Sequence, residues 1–493
     1  MLNLAAKAGN SPQALTCDGG AALRPIGSRG REPATLHQSI IAAPAVAALR
    51  RPTDTAPVSE PTTVLLPDSA PCQAALAVLR TLRAHGHGAY LVGGCVRDML
   101  LGRAPKDYDI ATAARPKQVL RLFAEVVQVG VAFGVVRVRQ LAADGQVYEI
   151  EVATFRADGH YSDGRRPDSV RFADARQDVL RRDFTINGLL ADPCDDGIAT
   201  VCDWVGGLDD LRARQLRCIG EPGERFGEDA LRILRAPRFA ARFRLQVEAG
   251  TAAAIAALAP TLAKVSAERI TAEVAAMLTA PTAGHALGLL ADLGLAPVLW
   301  PTLAAADPSL SLARVRIERA LVELQTGPLF SDLPVAGLDL PLALALLAGS
   351  DAGWPERPEF AATLRLSRHD GQAVRHILEL VRDVALPPPA QGPWPAAAAR
   401  WLRDPLADAA LVALHAGAPH GPWRVWRQLR AAWPSAAAFP DLGFGGNDLQ
   451  AWGYAPGPAF RAALAAAEDV RLAGGSVAGA EAAARAVLDA SRS

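Results

Sequence analysis

A chain of 493 residues that is 50% hydrophobic and 21% charged can bury several cores, two to four at the usual ~150 residues per domain. Its 51 Lys and Arg balance 51 Asp and Glu, which excludes a uniformly basic nucleic-acid coat and leaves only local basic surfaces. Six cysteines (Cys17, Cys72, Cys95, Cys194, Cys202, Cys218) contain no C-x-x-C pair, so neither zinc nor a disulfide framework is expected and a reducing cytoplasm is the simplest home; no apolar stretch approaches the ~20 residues of a membrane span.

Residues 1–62 are rich in Ala, Pro, Ser, Thr and Gly without a sustained period, which predicts a disordered extension. Several arginines and few acids there are compatible with a transit peptide, but neither an amphipathic helix nor a signal-peptide apolar region stands out. From about residue 72 the pattern is globular: QAALAVLRTLRAHG predicts a helix ending near Gly86, followed by the strands AYLVGG and DYDIATA. In the second strand, residues i and i+2 share a face, so Asp107 and Asp109 project together while Tyr108 and Ile110 turn into a core. Paired carboxylates are hard oxygen ligands for Mg2+, and two such ions suit in-line phosphoryl transfer with pyrophosphate as the leaving group. Gly93 and Gly94, directly after an apolar run, let the backbone approach a triphosphate, with Arg97 one turn on as a counter-charge. A dinucleotide-binding reading fails because no third glycine completes G-x-G-x-x-G.

PKQVLRLFAEV predicts a helix, and VVRVRQL with QVYEIEVATF a hairpin about Ala142–Gly145. Glu149 and Glu151 share a face of its second strand, and one of them would complete a three-carboxylate site. Residues 156–180 are polar and turn-rich; Arg165 and Arg166 read equally as a mobile basic closure and as solvated charges. RRDFTINGLL reads as the start of a helical run that sets Asp183 and Asn187 on one face beside Arg182. GEDALRILRAPRFAARF, residues 227–243, reads as a helix with Asp229 and Arg232 one turn apart and with Arg232, Arg235 and Arg238 in a line, which Pro237 can bend.

After residue 245 the pattern is almost wholly helical. Ser266 is a predicted N-cap for a helix burying Ile270 and Val274, and residues 282–300 form another helical stretch ending near Gly294. Arg368, His369 and Asp370 read as helix-start residues, not as a hydrolase centre. Pro-rich joints at 386–395 and around Pro419–Pro422 separate the last helices. Trp423 and Trp426 among Arg424, Arg427 and Arg430 offer RNA contacts, though core tryptophans with outer arginines is the simpler reading.

These motifs together resemble the class II template-independent nucleotidyltransferases, the family of tRNA CCA-adding enzymes and bacterial poly(A) polymerases. The resemblance runs from about residue 85 to the C-terminus and is strongest in its first 160 residues. It implies Asp107 and Asp109 as magnesium ligands, Glu151 as the third acid, and Gly93, Gly94 and Arg97 at the triphosphate. R-R-D-x-T-x-N, here Arg182, Asp183 and Asn187, lines sugar and phosphates in the family, and E-D-x-x-R-x-x-R selects the base, here through Asp229, Arg232, Arg235 and Arg238. A carboxylate that accepts from the exocyclic amine of C or A, beside an arginine that donates to the ring acceptor, rejects G and U. VGVAFGVVRV, residues 129–138, and the C-terminal stretch from Gly446, Asn447, Asp448 and Leu449 to Gly453 and Pro456–Pro458 resemble the CCA-adding branch.

The resemblance thus implies an α+β fold in which a mixed-sheet nucleotidyltransferase head (63–210) precedes an all-α neck (211–280), body (281–385) and tail (386–493). The implied activity is addition of CMP or AMP from CTP and ATP to the 3′ end of tRNA, with poly(A) polymerase as the alternative. A catalytically silent RNA-binding protein is disfavoured by the intact carboxylates. Oligomeric state is not legible.

Overall fold

The computed structural model describes residues 62–491, apart from 129–133, 159–169, 195, 327–337, several positions within 350–362, 385–395, 419–422 and 433–440. The expectations for the N-terminal extension, for Arg165 and Arg166, for the start of VGVAFGVVRV and for the two Pro-rich joints lie outside the described residues.

An eight-stranded sheet carries the first part of the chain. Its strands are β1 (Thr63–Leu65), β2 (Ala89–Val92), β3 (Asp109–Thr112), β4 (Val126–Val127), β5 (Val135–Leu141), β6 (Val147–Thr154), and, after the small β7 (Arg156–Asp158) and β8 (Val170–Phe172) ribbon, β9 (Leu190–Pro193) and β10 (Ile198–Cys202). The spatial order is β1-β10-β9-β2-β3-β6-β5-β4. Among the described strands of this sheet only β3 and β6 pair in parallel, Ile110 opposite Val152, so the sheet is mixed as expected. The helix α1 (Ala70–Ala84), which precedes α2 (Gly94–Leu100) and α3 (Pro116–Leu122), packs on it, burying Leu79 and Leu82 in one core with Leu91, Ile110, Ile150 and Val152. The β5–β6 hairpin closes through Gly145 in the left-handed region, φ 79°, where glycine has no Cβ penalty.

Two helical expectations fail instructively. RRDFTINGLL is not a helical run: α4 (Ala175–Leu180) ends before it, Thr185–Asn187 make one 3-10 turn, and Leu190 enters β9. Side chains compete with the helix there. Asp183 Oδ1 accepts from the Phe184 N–H, and the Thr185 hydroxyl donates to Asp210 at 2.7 Å. Nor is residues 227–243 one helix. A helix, Pro222–Glu228, ends at Asp229 in extended backbone (φ −145°, ψ 102°), and α5 begins at Leu231 and runs unbroken past Pro237 to Phe243. Asp229 Oδ1 accepts from the Leu231 N–H at 3.1 Å, the capping role that makes aspartate poor in helix interiors.

Beyond Phe243 the described secondary structure is helical except for a two-residue strand, Gln246–Val247. The expected helix from Ser266 forms as α6 (Ala267–Leu278), burying Ile270 and Val274. Arg368–Asp383 is a helix capped by Ser367, and Trp423 and Trp426 are both buried. Near the C-terminus Leu449, Tyr454, Ala463, Ala467, Ala480, Ala484 and Leu488 make a small core of their own. Among the described residues no helix is long and apolar enough to cross a membrane.

Candidate active site

The chain turns sharply at the end of β2. Gly93 adopts φ 69°, and helix α2 (Gly94–Leu100) starts immediately after it. The positive φ favours glycine at Gly93, and a Cβ there would sit 3.1 Å from Arg182 Nη1 and press on the arginine lying against it. Gly93→Ala is expected to cost roughly 1–2 kcal/mol of stability through the left-handed backbone and to displace Arg182. Thermal melts together with triphosphate affinity check this; unchanged values for both would contradict it.

Gly93 and Gly94 form one wall of a cavity of about 520 Å³. Also around it stand Arg97, Asp109, Glu151, Arg156, Arg181, Arg182, Asp183, Asn187, Asp229, Arg232, Arg235, Phe239 and Arg269. Seven arginines against four carboxylates suit a polyanion. Residues from the β2–α2 turn, from β3 and β6, from the Asp183 turn and from α5 therefore converge, as the motifs led one to expect.

Asp109 opens β3, and Glu151 lies on the neighbouring strand, each one residue before the paired Ile110 and Val152. Adjacent strands lie about 4.8 Å apart, so the two carboxylates stand side by side on one face. Asp107 precedes the strand and is exposed, with Tyr108 and Ile110 buried between and beyond, which keeps the expected alternation; it is not among the cavity-lining residues. Burial, then the Glu151 charge, push the Asp109 carboxyl up to about 6, against a partial counter-effect from Arg182. Among the described residues none of the three acids has a side-chain hydrogen bond or ion pair, and no three His, Cys, Asp or Glu side chains are gathered to hold a metal by themselves. Crowded, unpaired hard-oxygen donors fit a divalent cation whose remaining ligands come from substrate phosphates.

The raised Asp109 pKa has a stability consequence. Between about pH 4 and 6 the folded chain holds a proton the unfolded chain has released, so stability falls as pH rises through that window. Without a cation the charge at pH 7 costs on the order of 2–3 kcal/mol. Asp109→Asn should therefore melt a few degrees higher than the parent at pH 7.5 in chelator and equally at pH 4. A lower melting temperature at pH 7.5 would refute this.

A buried hydrogen-bonded relay backs the cavity. Arg97, 4% exposed, donates through Nε and Nη2 to Asp98 at 2.9 and 2.7 Å and through Nη1 to Asn187 Oδ1. Asn187 Nδ2 donates to Asp183 Oδ1 at 3.1 Å, and Asp183 Oδ2 accepts from Arg235 at 2.7–2.8 Å. Burial would raise the Asp183 carboxyl, but Arg235 and Asn187 outweigh it and hold it below the usual range. The Arg97 guanidinium also stacks on Phe243, 4.1 Å from the ring centre. Arg97 thus lies under the glycine turn, joining α2 to α5 through this relay, and is committed to protein partners.

On α5 the expected line of guanidiniums does not hold. Each i+3 step falls about 60° short of a full turn, so Arg232 and Phe239 share a face while Arg238 turns away. Arg238 instead meets Glu273 at 3.0 Å and is absent from the cavity lining. Arg232 is 9% exposed and donates to Glu228 Oε2 and to the Arg225 and Arg181 carbonyls at 2.6–3.0 Å. Asp229 Oδ2 is held by Arg269 at 2.8 Å. Arg269, on α6, went unread in the sequence because nothing local ties it to an acid 40 residues earlier. Arg156 and Arg181 were likewise missed.

Residues 89–217 match the family model described as the poly A polymerase head domain, and residues 244–307 match that of the probable RNA and SrmB-binding site of polymerase A. The chain is 44% identical over 230 residues to a CCA-adding enzyme of Geobacillus thermodenitrificans, covering 46% of this chain and 55% of that protein. It is 36% identical over 311 residues to one of Enterococcus faecalis, 63% of this chain and 70% of that protein. The match thus spans a little over half the length of the Geobacillus relative. Among solved structures, a Bacillus stearothermophilus CCA-adding enzyme in complex with CTP superposes with a TM-score of 0.61 at 29% identity, over 86% of this chain and 94% of that one.

Proposed function

The chain belongs to the class II family of CCA-adding enzymes and poly(A) polymerases, and on that premise we propose that it adds CMP and AMP from CTP and ATP to the 3′ end of tRNA. The observation that carries the reading is the single cavity in which the unpaired carboxylates Asp109 and Glu151, the Gly93 turn with Arg182, and Asp229 with Arg232 all converge. Those three groups answer to the three parts of one ligand: a metal-bound reacting phosphate, a polyphosphate tail and a base. The Bacillus relative was solved with CTP, which supports the assignment of the ligand.

In this reading Asp107 and Asp109, with Glu151 beside them, would hold magnesium, which would supply activation of the attacking hydroxyl and neutralisation of charge on the triphosphate. Gly93, Gly94, Arg181 and Arg182 bind the phosphates. Asp183 and Asn187, locked to each other, present a fixed edge to the ribose and hold Arg235 in line. Asp229 accepts from the exocyclic amine of cytosine or adenine, and Arg232 donates to the neighbouring ring acceptor. Binding aligns the α-phosphate with the RNA 3′ hydroxyl, whose attack releases pyrophosphate. The head, neck, body and tail divide as 63–210, 211–280, 281–385 and 386–493, and the reaction takes place in the cytoplasm.

The helical second half binds tRNA through backbone and shape contacts. Binding titrations should favour tRNA over an unstructured RNA of equal length by roughly tenfold or more, a gap of about 1.4 kcal/mol. Equal affinity, with open-ended A addition to both, would transfer the reading to poly(A) polymerase.

A further inference from the structure

We propose that Asp178 is a positioning residue that aims the consecutive arginines Arg181 and Arg182 at the polyphosphate of the incoming nucleotide; the proposal rests on the cavity being a triphosphate site. Asp178 lies on α4, only 2% exposed, and does not line the cavity. Its Oδ1 accepts from Arg181 Nε and Nη2 at 3.0 and 2.7 Å, and its Oδ2 from Arg182 Nη2 at 3.0 Å. Oδ1 also lies 3.3 Å from the Arg156 backbone N–H. One buried carboxylate therefore holds two guanidiniums, one on each oxygen.

Their aim is fixed from the other side as well. Arg181 Nε reaches the Arg156 carbonyl at 3.2 Å, and Arg182 Nη1 lies against Gly93 and 3.5 Å from the Asn187 carbonyl. Both side chains are about four-fifths buried and line the cavity. Burial alone would raise the Asp178 carboxyl, yet the two arginines pull it below the usual range.

Two adjacent arginines on flexible stems repel each other and would spread into solvent. A shared buried carboxylate removes that repulsion and most of the rotamer freedom before the ligand arrives, so the ordering cost of binding is met in advance. The alternative, that Asp178 merely stabilises the fold, makes a different prediction, because loss of fold weakens every ligand alike whereas loss of aim weakens only ligands with a polyphosphate.

The test measures binding of CTP and of CMP, with magnesium present, to the full chain and to Asp178→Asn and Asp178→Glu, together with KM and kcat for CTP. Asp178→Asn should weaken CTP roughly tenfold or more while changing CMP less than about threefold, with the loss falling on KM and not on kcat. Asp178→Glu keeps the charge and should recover part of the CTP affinity; it also carries the test if the Asn variant does not fold. Equal losses for CTP and CMP, or CTP affinity unchanged in both variants, would overturn the proposal. Because binding is scored apart from transfer to RNA, a parent that binds CTP but does not extend tRNA would count against the proposed function and leave this inference standing.

Discussion

Asp109→Ala is expected to lower nucleotide incorporation by roughly a thousandfold or more while leaving the chain folded, and Asp107→Ala to do nearly the same. In the proposed metal site, several kcal/mol of charge stabilisation at the reacting phosphate would depend on a cation held by these two acids and Glu151. Neither acid supports the fold. Asp107 is exposed, so its loss should change stability by about 0.5 kcal/mol at most. Asp109 is held near pKa 6 by burial and by Glu151, so its replacement relieves an unfavourable charge. Activity and stability should therefore move in opposite directions at Asp109, which a general packing defect cannot imitate. Turnover above about 5% of the parent in either variant, measured with saturating CTP and tRNA, would contradict the metal assignment.

The chemistry at that end was legible because it is local. Alternation of Asp107, Tyr108, Asp109 and Ile110 follows from the period of a strand, and the Gly93 turn from what an apolar strand must do before a helix. RRDFTINGLL, residues 181–190, reads as helical because Asp183 and Asn187 stand at i and i+4, a spacing that a tight turn entering a strand can hold as well. What decided it was the capture of backbone and side-chain groups by Asp183 and Asp210, which no spacing reveals. Helix α5 shows the same limit. The run from Gly227 to Phe243 looks continuous, but Asp229 caps instead of continuing, and strict i+3 spacing carries Arg238 off the face that Arg232 and Phe239 share. Arg97 reads as a phosphate ligand from its place one turn after the glycines; its burial against Asn187 and Phe243 depends on elements 90 and more residues away. Arg269 and Asp178 belong to the same class of long-range or buried partners.

Replacing Asp229 by Asn and Arg232 by Gln together should cut CTP and ATP use by roughly a hundredfold and relax selection against UTP and GTP. An acceptor and a donor fork fit the edges of cytosine and adenine, and a wrong base leaves buried polar groups unpaired at roughly 1–3 kcal/mol each. Asp229 is paired with Arg269 and Arg232 with Glu228, so both groups are held in place by protein partners. That pairing is also a reason to avoid Arg232→Ala, which would strand Glu228 and the Arg181 and Arg225 carbonyls and confuse lost recognition with lost structure. Single-nucleotide addition with each of the four triphosphates distinguishes the cases. An unchanged preference for C and A in a folded double variant would remove base selection from these residues.

Stepwise extension of three tRNA transcripts, lacking the last three, two or one nucleotides of the CCA end, tests the proposed function most directly. With CTP and ATP present, the purified chain should add C, C and A to the first, C and A to the second and A to the third, stopping at the completed end each time. Open-ended addition of A to all three, with CTP ignored, would contradict it.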